Sequence, residues 1–155
     1  MALVRQLKEN DLMYFTRYAI DFFHAIYKDL PSEHSLDERL RHRKYWAADQ
    51  FMNDSPDQKV FVVEVEGKVV GYIMGIIEAD ENEGRTGTLQ ELFVDEFYRR
   101  EGLGTELCKH MFEWFWSHNI STIQLSLEAG HPKVHAFMES VGFITVRTKY
   151  EYKKE

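Results

Sequence analysis

The sequence has few of the residues that build crosslinked or membrane-embedded proteins. Cys108 is the one cysteine among 155 residues, so an internal disulfide is impossible and a reducing compartment is expected. No stretch approaches the roughly 20 apolar residues that a membrane-spanning helix needs. Residues 1–11 lack the apolar run of a secretory signal. We therefore expect a cytoplasmic protein with no membrane partner.

Basic residues are also scarce relative to acidic ones. The chain has 19 Lys and Arg against 26 Asp and Glu, which gives a formal net charge of −7. Phosphate backbones bind basic surfaces, so this balance argues against nucleic acid as the main partner. A negative protein suits a cationic substrate such as an amine. The charge could equally serve only to keep the protein soluble.

What the sequence does contain indicates a folded core. Hydrophobic residues make up 44% of the chain and aromatic residues 14%, which is unlike a disordered protein. The length fits one domain, residues 1–155. The spacing of the histidines resembles no metal site, so no metal is expected.

The first third of the chain predicts a strand followed by two helices. Residues 4–7 fit a short strand, and Asn10 and Asp11 have side chains that can cap a helix start. A second, more polar helix is expected over residues 35–51. The first helix is indicated by an apolar stripe at spacings of three and four, made of Leu12, Phe15, Ala19, Phe22 and Ile26.

The rest of the chain predicts a sheet that changes its direction of pairing. Segments 60–65, 69–77 and 88–94 fit three strands of an antiparallel meander. A helix is expected after Gly102, and it should connect to a strand over residues 121–127 that runs parallel to its neighbour. A helix over 132–141 and a strand over 143–152 complete the pattern. The predicted fold is therefore α/β, with a mixed, mostly antiparallel central sheet and helices on both faces.

The segment Arg99-Arg100-Glu101-Gly102-Leu103-Gly104 stands between a strand and a long helix. The first N–H groups of a helix have no partner within it and lie at the positive end of the helix dipole, so they can bind phosphate. Glycine lets a phosphate approach the backbone, and the two arginines add positive charge. Taken alone, the segment could also be a structural turn with solvated arginines.

The residues around this turn make the pattern more specific. Arg99-x-x-Gly102-x-Gly104, placed after a strand that ends Leu92-Phe93-Val94, resembles the Arg/Gln-x-x-Gly-x-Gly/Ala motif of the GNAT N-acetyltransferase superfamily. The resemblance extends over residues 60–145 and ends with Gly142-Phe143.

This resemblance implies that the chain binds acetyl-CoA. The pyrophosphate would lie on the N–H groups from Arg100 to Thr105, and the pantetheine arm would pair with residues 92–94 like an extra strand. In the superfamily the two strands at this point, here 88–94 and 121–127, separate to form the cleft for the thioester. The residues that the resemblance assigns to the cofactor are Leu92, Phe93, Val94, Arg99, Arg100, Glu101, Gly102, Leu103, Gly104, Thr105 and His131.

Acetyl transfer to an amine needs a group that removes a proton. A lysine-like amine has a pKa of about 10.4 and arrives mostly protonated, so a base is required, directly or through water. Glu91, on the strand beside the cofactor segment, is the first candidate, and Glu128, at the end of the neighbouring strand, is the second. Either carboxylate could instead orient a cationic substrate or lie on a solvated face.

The last helix departs from the pattern of the superfamily. Met138 occupies the position that often holds a tyrosine acid, and His131 stands where asparagine is common. A methionine cannot donate a proton, so the thiolate leaves unaided or another group serves, with Tyr98, His131 and His135 as weak candidates. A protein that binds acyl-CoA without catalysis is the further alternative. His131 is expected to cap the last helix.

The sequence thus predicts an N-acetyltransferase that moves the acetyl group of acetyl-CoA to a primary amine by direct attack in a ternary complex. A small-molecule acceptor is expected, and a protein or peptide terminus is the alternative. Aromatic residues crowd the helix at 112–116, and some must point away from the core. A homodimer is therefore also expected.

Overall fold

The computed structural model of the chain describes residues 1–29, 32, 34–82 and 84–155. Its strands are β1 (Ala2–Gln6), β2 (Gln58–Val65), β3 (Lys68–Asp80), β4 (Gly84–Val94) and β5 (Ile123–Gln124). Its α-helices are α1 (Leu12–Tyr27), α2 (Leu36–Met52), α3 (Leu103–Ser117) and α4 (Pro132–Ser140). Single 3-10 turns cover Glu9–Asp11 and Glu96–Tyr98.

The five strands form one sheet in the order β1-β2-β3-β4-β5. Neighbours from β1 to β4 are antiparallel, and β5 lies parallel to β4 after the crossover through α3. The expected mixed, mostly antiparallel sheet is therefore confirmed. A hydrophobic core lies on each face, one beneath α1 and α2 and the other beneath α3 and α4, which confirms helices on both faces.

Two glycines bring α3 close to the sheet. A Cβ on Gly75 would lie 2.6 Å from the sulfur of Met111, and one on Gly87 would lie 2.7 Å from the ring of Phe115. Both partners are fully buried. Side chains at these two strand positions would push α3 away, because protein interiors leave no spare room. The helix that carries the phosphate turn is thus held directly against β3 and β4.

Helices α1 and α2 begin where the sequence predicts, but the polar side chains at their N-termini bond differently. Ser35 caps α2, since its hydroxyl accepts a hydrogen bond from the N–H of Glu38 at 3.2 Å. Asp11 precedes α1 but makes no capping bond with it. Its carboxylate instead pairs with Arg5 at 2.7 Å and accepts from the N–H of Lys8.

Of the predicted strands, one is shorter than expected and one is absent. The strand expected over 121–127 has ladder pairing only at Ile123–Gln124, and the strand expected over 143–152 is absent. Residues 144–155 are all exposed. Their alternating pattern does favour a strand, but a strand needs a hydrogen-bonded neighbour, and these residues have no ladder partner in the described part of the chain.

No helix among the described residues is long and apolar enough to cross a membrane.

Replacing Gly87 with alanine is expected to destabilise the fold, because the added methyl would press on the buried ring of Phe115. Overpacking of this kind costs roughly 1–3 kcal/mol. In a chain of this size each kcal/mol lowers the Tm by about 2–4 °C. Thermal unfolding followed by circular dichroism measures the shift.

Thr88→Val is the matched control for this variant. Thr88 is the next residue on β4, its side chain points to the other face, and its hydroxyl bonds only to the exposed Glu78. We expect this control to unfold within about 2 °C of the parent, since surface changes cost at most a few tenths of a kcal/mol. An unchanged Tm in Gly87→Ala would show that α3 has more room than its contacts indicate.

Candidate active site

The main cleft opens where β4 and β5 separate. The two strands pair only at Gly87 with Ile123 and at Thr88 with Gln124. Beyond this point the edge of β4 that faces away from β3 has no strand partner among the described residues. The resulting cleft has a volume of about 960 Å³ and is lined by α1, residues 89–94, residues 125–128, the start of α3, and α4.

Nearly all the predicted site residues line this cleft. It contains Glu91 and Glu128, and all the predicted cofactor residues except Glu101, which is exposed in the turn. Other residues that sequence reasoning did not select for the site also line it, among them Phe22 of α1 and Lys133 and Phe137 of α4.

The turn before α3 has the conformation of an anion-binding helix start. Gly102 occupies the N-cap position with φ of 80°, and Arg100 also has a positive φ, of 67°. The first intrahelical bond runs from the N–H of Glu106 to the carbonyl of Gly102 at 3.1 Å. Leu103, Gly104 and Thr105 are the first three residues of the helix, and N–H groups of a first turn have no partner within the helix. These groups are therefore free to bind phosphate.

Arg99 holds the turn to the end of β4. Its Nε donates to the carbonyl of Val94 at 2.8 Å, and its guanidinium lies 5.4 Å from the ring centroid of Phe93. Asp95 secures the same junction, because its carboxylate accepts from the N–H of Phe97 and from the hydroxyl of Tyr18. The arginine therefore orients the loop in addition to contributing its charge.

Gly104 serves helix packing as well as phosphate access. A Cβ at this position would meet the ring of Phe137 at 3.1 Å, which is tighter than nearly all real contacts of this kind. A bulky substitution at Gly104 would therefore move α4 as well as obstruct the N–H groups. Gly102 has no such neighbour, but its positive φ makes any side chain strained there.

Glu91 lies at the floor of the cleft in a buried ion pair. Its Oε1 accepts a hydrogen bond from Nη2 of Arg43 and another from the hydroxyl of Tyr72 at 2.6 Å. The side chains of Arg43 and Glu91 are only 7% and 11% exposed. Among the described residues, the only fully buried polar side-chain atom without a partner is Nε of Arg39. The second oxygen of Glu91 has no hydrogen-bond partner among the described residues. Because it is not one of the fully buried atoms without a partner, it is exposed to the cleft that Glu91 lines.

Burial dominates the acidity of this carboxyl. Desolvation raises the pKa of Glu91 above its ordinary value, while the charge and hydrogen bond of Arg43 and the hydrogen bond of Tyr72 oppose that rise. The same burial, together with the carboxylate of Glu91, raises the pKa of Tyr72. Tyr72 therefore stays protonated and donates to Glu91.

Arg43 is fixed by neighbours on two helices. Its Nε donates to the carbonyl of Ala19 at 2.8 Å, and its guanidinium lies 3.5 Å from the ring centroid of Trp46. The sequence did carry a signal for this residue, since Leu36, Leu40, Arg43 and Ala47 fall on one face of α2. A charged residue within an apolar face implies a buried partner.

The second carboxylate and the histidines are arranged differently. Glu128 lies in the cleft with an exposed side chain, and its backbone carbonyl lies 3.1 Å from Nε2 of His135. His131 occupies the N-cap position of α4 and lines the cleft, but it makes no side-chain capping bond. His131 therefore stands at the cap position that the sequence predicts, but without a side-chain hydrogen bond to the helix.

Met138 and Cys108 are both buried. Met138 is buried in the core between α4 and the sheet and also borders the cleft, so an apolar side chain stands at that position. Burial raises the pKa of the Cys108 thiol to about 12, which keeps it protonated and unreactive. No cluster of three or more metal-ligating side chains is found in the described residues.

Comparison with known proteins agrees with this geometry. The model of the acetyltransferase (GNAT) family matches residues 20–143. The [ribosomal protein bS18]-alanine N-acetyltransferase of Escherichia coli strain K12 is 27% identical over 125 residues, which cover 79% of this chain and 80% of that protein.

Solved structures share the fold over almost the whole chain. A putative acetyltransferase from Pyrococcus furiosus is similar, with a TM-score of 0.77 at 17% identity, covering 99% of this chain and 100% of the other. The aminoglycoside N-acetyltransferase AAC(6')-Iy, solved in complex with CoA, has a TM-score of 0.71 at 14% identity, covering 99% and 95%. With the family model, these matches confirm the resemblance found around Arg99 and Gly104. The chain therefore belongs to the acetyltransferase (GNAT) family and is an acetyl-CoA-dependent N-acetyltransferase.

Proposed function

We propose that the acceptor is the primary amine of a small molecule, which attacks acetyl-CoA directly in a ternary complex, and that Glu91 receives its proton. The observation that carries this proposal is the buried carboxylate of Glu91, with Oε1 held by Arg43 and Tyr72 and its other oxygen open to the cleft. A carboxylate in that setting binds an ammonium group strongly, because little water competes with it.

The two ends of the cleft differ in charge. Arg99 and Arg100 lie in the turn before α3, where the pyrophosphate would bind, while Glu91 lies on β4 near α1. On the α1 side the cleft is lined by Phe22, Ala25, Ile26 and Tyr27. An acceptor with a cationic amine and an apolar or sugar-like body fits this combination of walls and carboxylate.

The reaction needs a nucleophilic attack and the removal of two protons from the acceptor nitrogen. Glu91 takes the first proton from the bound ammonium, directly or through water, and the free amine attacks the thioester carbonyl carbon. A backbone N–H near Val94, on the open edge of β4, would stabilise the oxyanion. The C–S bond then breaks, and the second proton leaves the nitrogen through water and neutralises the thiolate, which is a tolerable leaving group without an acid because a thiol has a pKa of about 8.5.

Arg43 acts in this proposal as a positioning residue. It does not touch the acceptor, but it holds Oε1 of Glu91 and ties it to the carbonyl of Ala19 on α1. The base and the wall of the acceptor pocket are thereby linked through one guanidinium. The paired charge also opposes the rise in the pKa of Glu91 that burial causes.

A peptide terminus is the second candidate acceptor. The Escherichia coli relative acts on the alanine of a ribosomal protein by its name, and it is 27% identical over four-fifths of its length. An α-amine has a pKa of about 7.7–8.0 and needs less help from a base than a lysine-like amine. Glu91 is buried beside a narrow set of α1 side chains, which favours the smaller acceptor.

The decisive test is acetyl-CoA binding by calorimetry, followed on the same sample by thiol release across an acceptor panel. The panel pairs polyamines, amino acids and aminoglycosides with short peptides that begin with alanine. We expect thiol release with at least one small amine at a kcat/KM at least tenfold above every peptide. Release with peptides alone would assign the acceptor to a polypeptide terminus.

Glu91→Gln should lower kcat/KM at pH 7–8 by about 10²–10⁴, the usual contribution of general base catalysis. The amide keeps the size of the side chain and an oxygen for Arg43 and Tyr72, so the affinity for acetyl-CoA should change little. In the parent, log kcat/KM should fall as the pH drops through the pKa of Glu91, because a base works only when ionised. Since that pKa is raised, the fall begins at a higher pH than for an ordinary carboxyl. The variant should lack this limb.

Glu128→Gln is the matched control for the base. Its side chain is exposed and belongs to the second candidate carboxylate, so we expect less than a fivefold loss and an unchanged pH profile. The reverse ranking of the two variants would transfer the role of base to Glu128.

Thr105→Glu should weaken acetyl-CoA binding while leaving the fold intact. Thr105 is exposed in the first turn of α3 and borders the cleft. A carboxylate at this position interacts favourably with the helix dipole but repels a phosphate bound to the same N–H groups. We therefore expect the free energy of acetyl-CoA binding to weaken by about 1–2 kcal/mol, which is roughly a tenfold rise in Kd. Thr105→Gln, the neutral control of equal size, should stay within about threefold. If Thr105→Glu binds acetyl-CoA with the Kd of the parent, the pyrophosphate does not bind at this turn.

A further inference from the structure

The part of the cleft beside α1 has an uncharged wall. The described residues of α1 that line the cleft are Phe22, Ala25, Ile26 and Tyr27, and none of their side chains carries a charge at neutral pH. Phe22, Ala25 and Ile26 stand at i, i+3 and i+4, which places them on one face of the helix. We call these four residues the α1 wall. The body of an acceptor on this side of the cleft therefore meets hydrocarbon and aromatic surface.

The α1 wall lies next to the carboxylate at the floor of the cleft. The guanidinium of Arg43, which donates to Glu91 through Nη2, lies 5.8 Å from the ring centroid of Phe22. Its Nε donates to the carbonyl of Ala19, one turn earlier on the same helix. One small acceptor can therefore touch both features, with its amine at the open oxygen of Glu91 and its body against the α1 wall.

Arg43 places a permanent positive charge at this end of the cleft. It is buried and held by hydrogen bonds, so a ligand cannot displace it. When Glu91 is ionised, the charges of the two side chains cancel. The amine of the acceptor binds the oxygen of Glu91 that faces the cleft and makes the site positive. A second ammonium close to the first would then be repelled, because no net negative charge remains to attract it.

The aromatic rings near the floor are already occupied by the same guanidinium. It lies 3.5 Å from the ring centroid of Trp46, 5.5 Å from that of Phe23 and 5.8 Å from that of Phe22. Aromatic faces attract cations within about 6 Å, so rings in this arrangement are able to bind an ammonium group of a ligand. Since Arg43 takes these contacts within the protein, a second cation on the acceptor gains nothing from them.

A second charge on the acceptor would also lose water at the α1 wall. An ammonium that moves from water to the surface of Ala25 and Ile26 without a partner is unfavourable. Glu128 lines the cleft too, but its side chain is exposed, and a carboxylate in water adds little net binding to an ammonium. An apolar body avoids this loss and gains from its own burial.

We infer that the acceptor carries a single cationic amine on an alkyl or aryl body, and that the α1 wall and Arg43 together exclude acceptors with a second positive charge. The inference rests on the small-molecule acceptor proposed above and narrows it. Alkylamines and arylalkylamines are good substrates, whereas polyamines and aminoglycosides are poor ones. The net charge of −7 of the whole chain does not favour polycations here, because the side chains of the α1 wall contribute none of it.

Hexylamine and hexamethylenediamine are the matched pair of acceptors that tests this selectivity. They have the same carbon chain and amines of similar basicity, so they differ mainly in the second ammonium. Thiol release from acetyl-CoA gives kcat/KM for each. We expect the value for hexylamine to exceed that for the diamine by about tenfold or more, after correction for the two amines of the diamine. Phenethylamine should behave like hexylamine, and spermidine should behave like the diamine.

Ala25→Asp tests whether the α1 wall sets the selectivity. Ala25 is exposed and lines the cleft, so an aspartate there supplies a partner for the second ammonium. We expect the ratio of kcat/KM for hexylamine to that for the diamine to fall by about fivefold or more. Ala25→Asn adds a side chain of equal size without the charge and should keep the ratio of the parent.

His24→Asp is the matched control for the added charge. His24 is the neighbouring residue of α1, is exposed, and is not among the described residues that line the cleft. An aspartate at this position changes the charge of the same helix outside the cleft, so the ratio should stay within about twofold of the parent. Circular dichroism and the Kd for acetyl-CoA check that each variant is folded.

The possible failures separate this inference from the proposal on which it rests. A diamine, polyamine or aminoglycoside that is acetylated as well as hexylamine would refute the inference and leave the small-molecule acceptor intact. A ratio that Ala25→Asp leaves unchanged, or that His24→Asp lowers equally, would show that the α1 wall does not contact the acceptor and would also refute it. Thiol release with peptides alone, or with no acceptor at all, would refute the proposed small-molecule acceptor and the inference together.

Discussion

The separation of β4 from β5 beyond Thr88 is the constraint on which the rest of the molecule depends. In the described part of the chain it leaves one edge of β4 without a strand partner, and it opens the cleft between that edge and residues 125–128. The contact of Phe115 with Gly87 fixes α3 at the last paired residues, so the N-terminus of α3 arrives at the mouth of the cleft. The backbone groups on this edge of β4 and the first N–H groups of α3 both need hydrogen-bond partners from outside their own elements. A cofactor with an amide-bearing arm and a pyrophosphate supplies both kinds.

The buried pair of Arg43 and Glu91 is costly to form and costly to break. Desolvation of two charges offsets much of their attraction, so such a pair contributes little net stability. Removal of one partner would leave the other buried and unpaired, a change of about 3–5 kcal/mol. The pair is therefore better understood as a device that fixes geometry. It joins α1, α2 and β4 at one point and sets the position of the carboxylate at the cleft floor.

Local patterns predicted most of the fold because most elements are decided locally. The apolar stripe that includes Phe15 and Ala19 predicted α1, and Gly102 predicted the start of α3. The phosphate turn was readable because its residues are consecutive. The partner of Glu91 was not foreseen, since Arg43 is 48 residues away in sequence. A charged side chain on the apolar face of α2 indicates that it has a buried partner, but the partner can be identified only from the tertiary structure.

The two wrong strand predictions, one too long and one for a strand that is absent, have the same physical cause. Residues 121–127 and 143–152 both alternate correctly, but alternation specifies a face and not a neighbour. Residues 121–127 pair with β4 at only two positions because the strands then diverge, and residues 144–152 have no ladder partner among the described residues. Alternation therefore identifies the side chains that share a face, whereas the length of a ladder depends on the path of the neighbouring strand. That path is a property of the tertiary structure, so a single sequence predicts the pattern of a strand better than its extent.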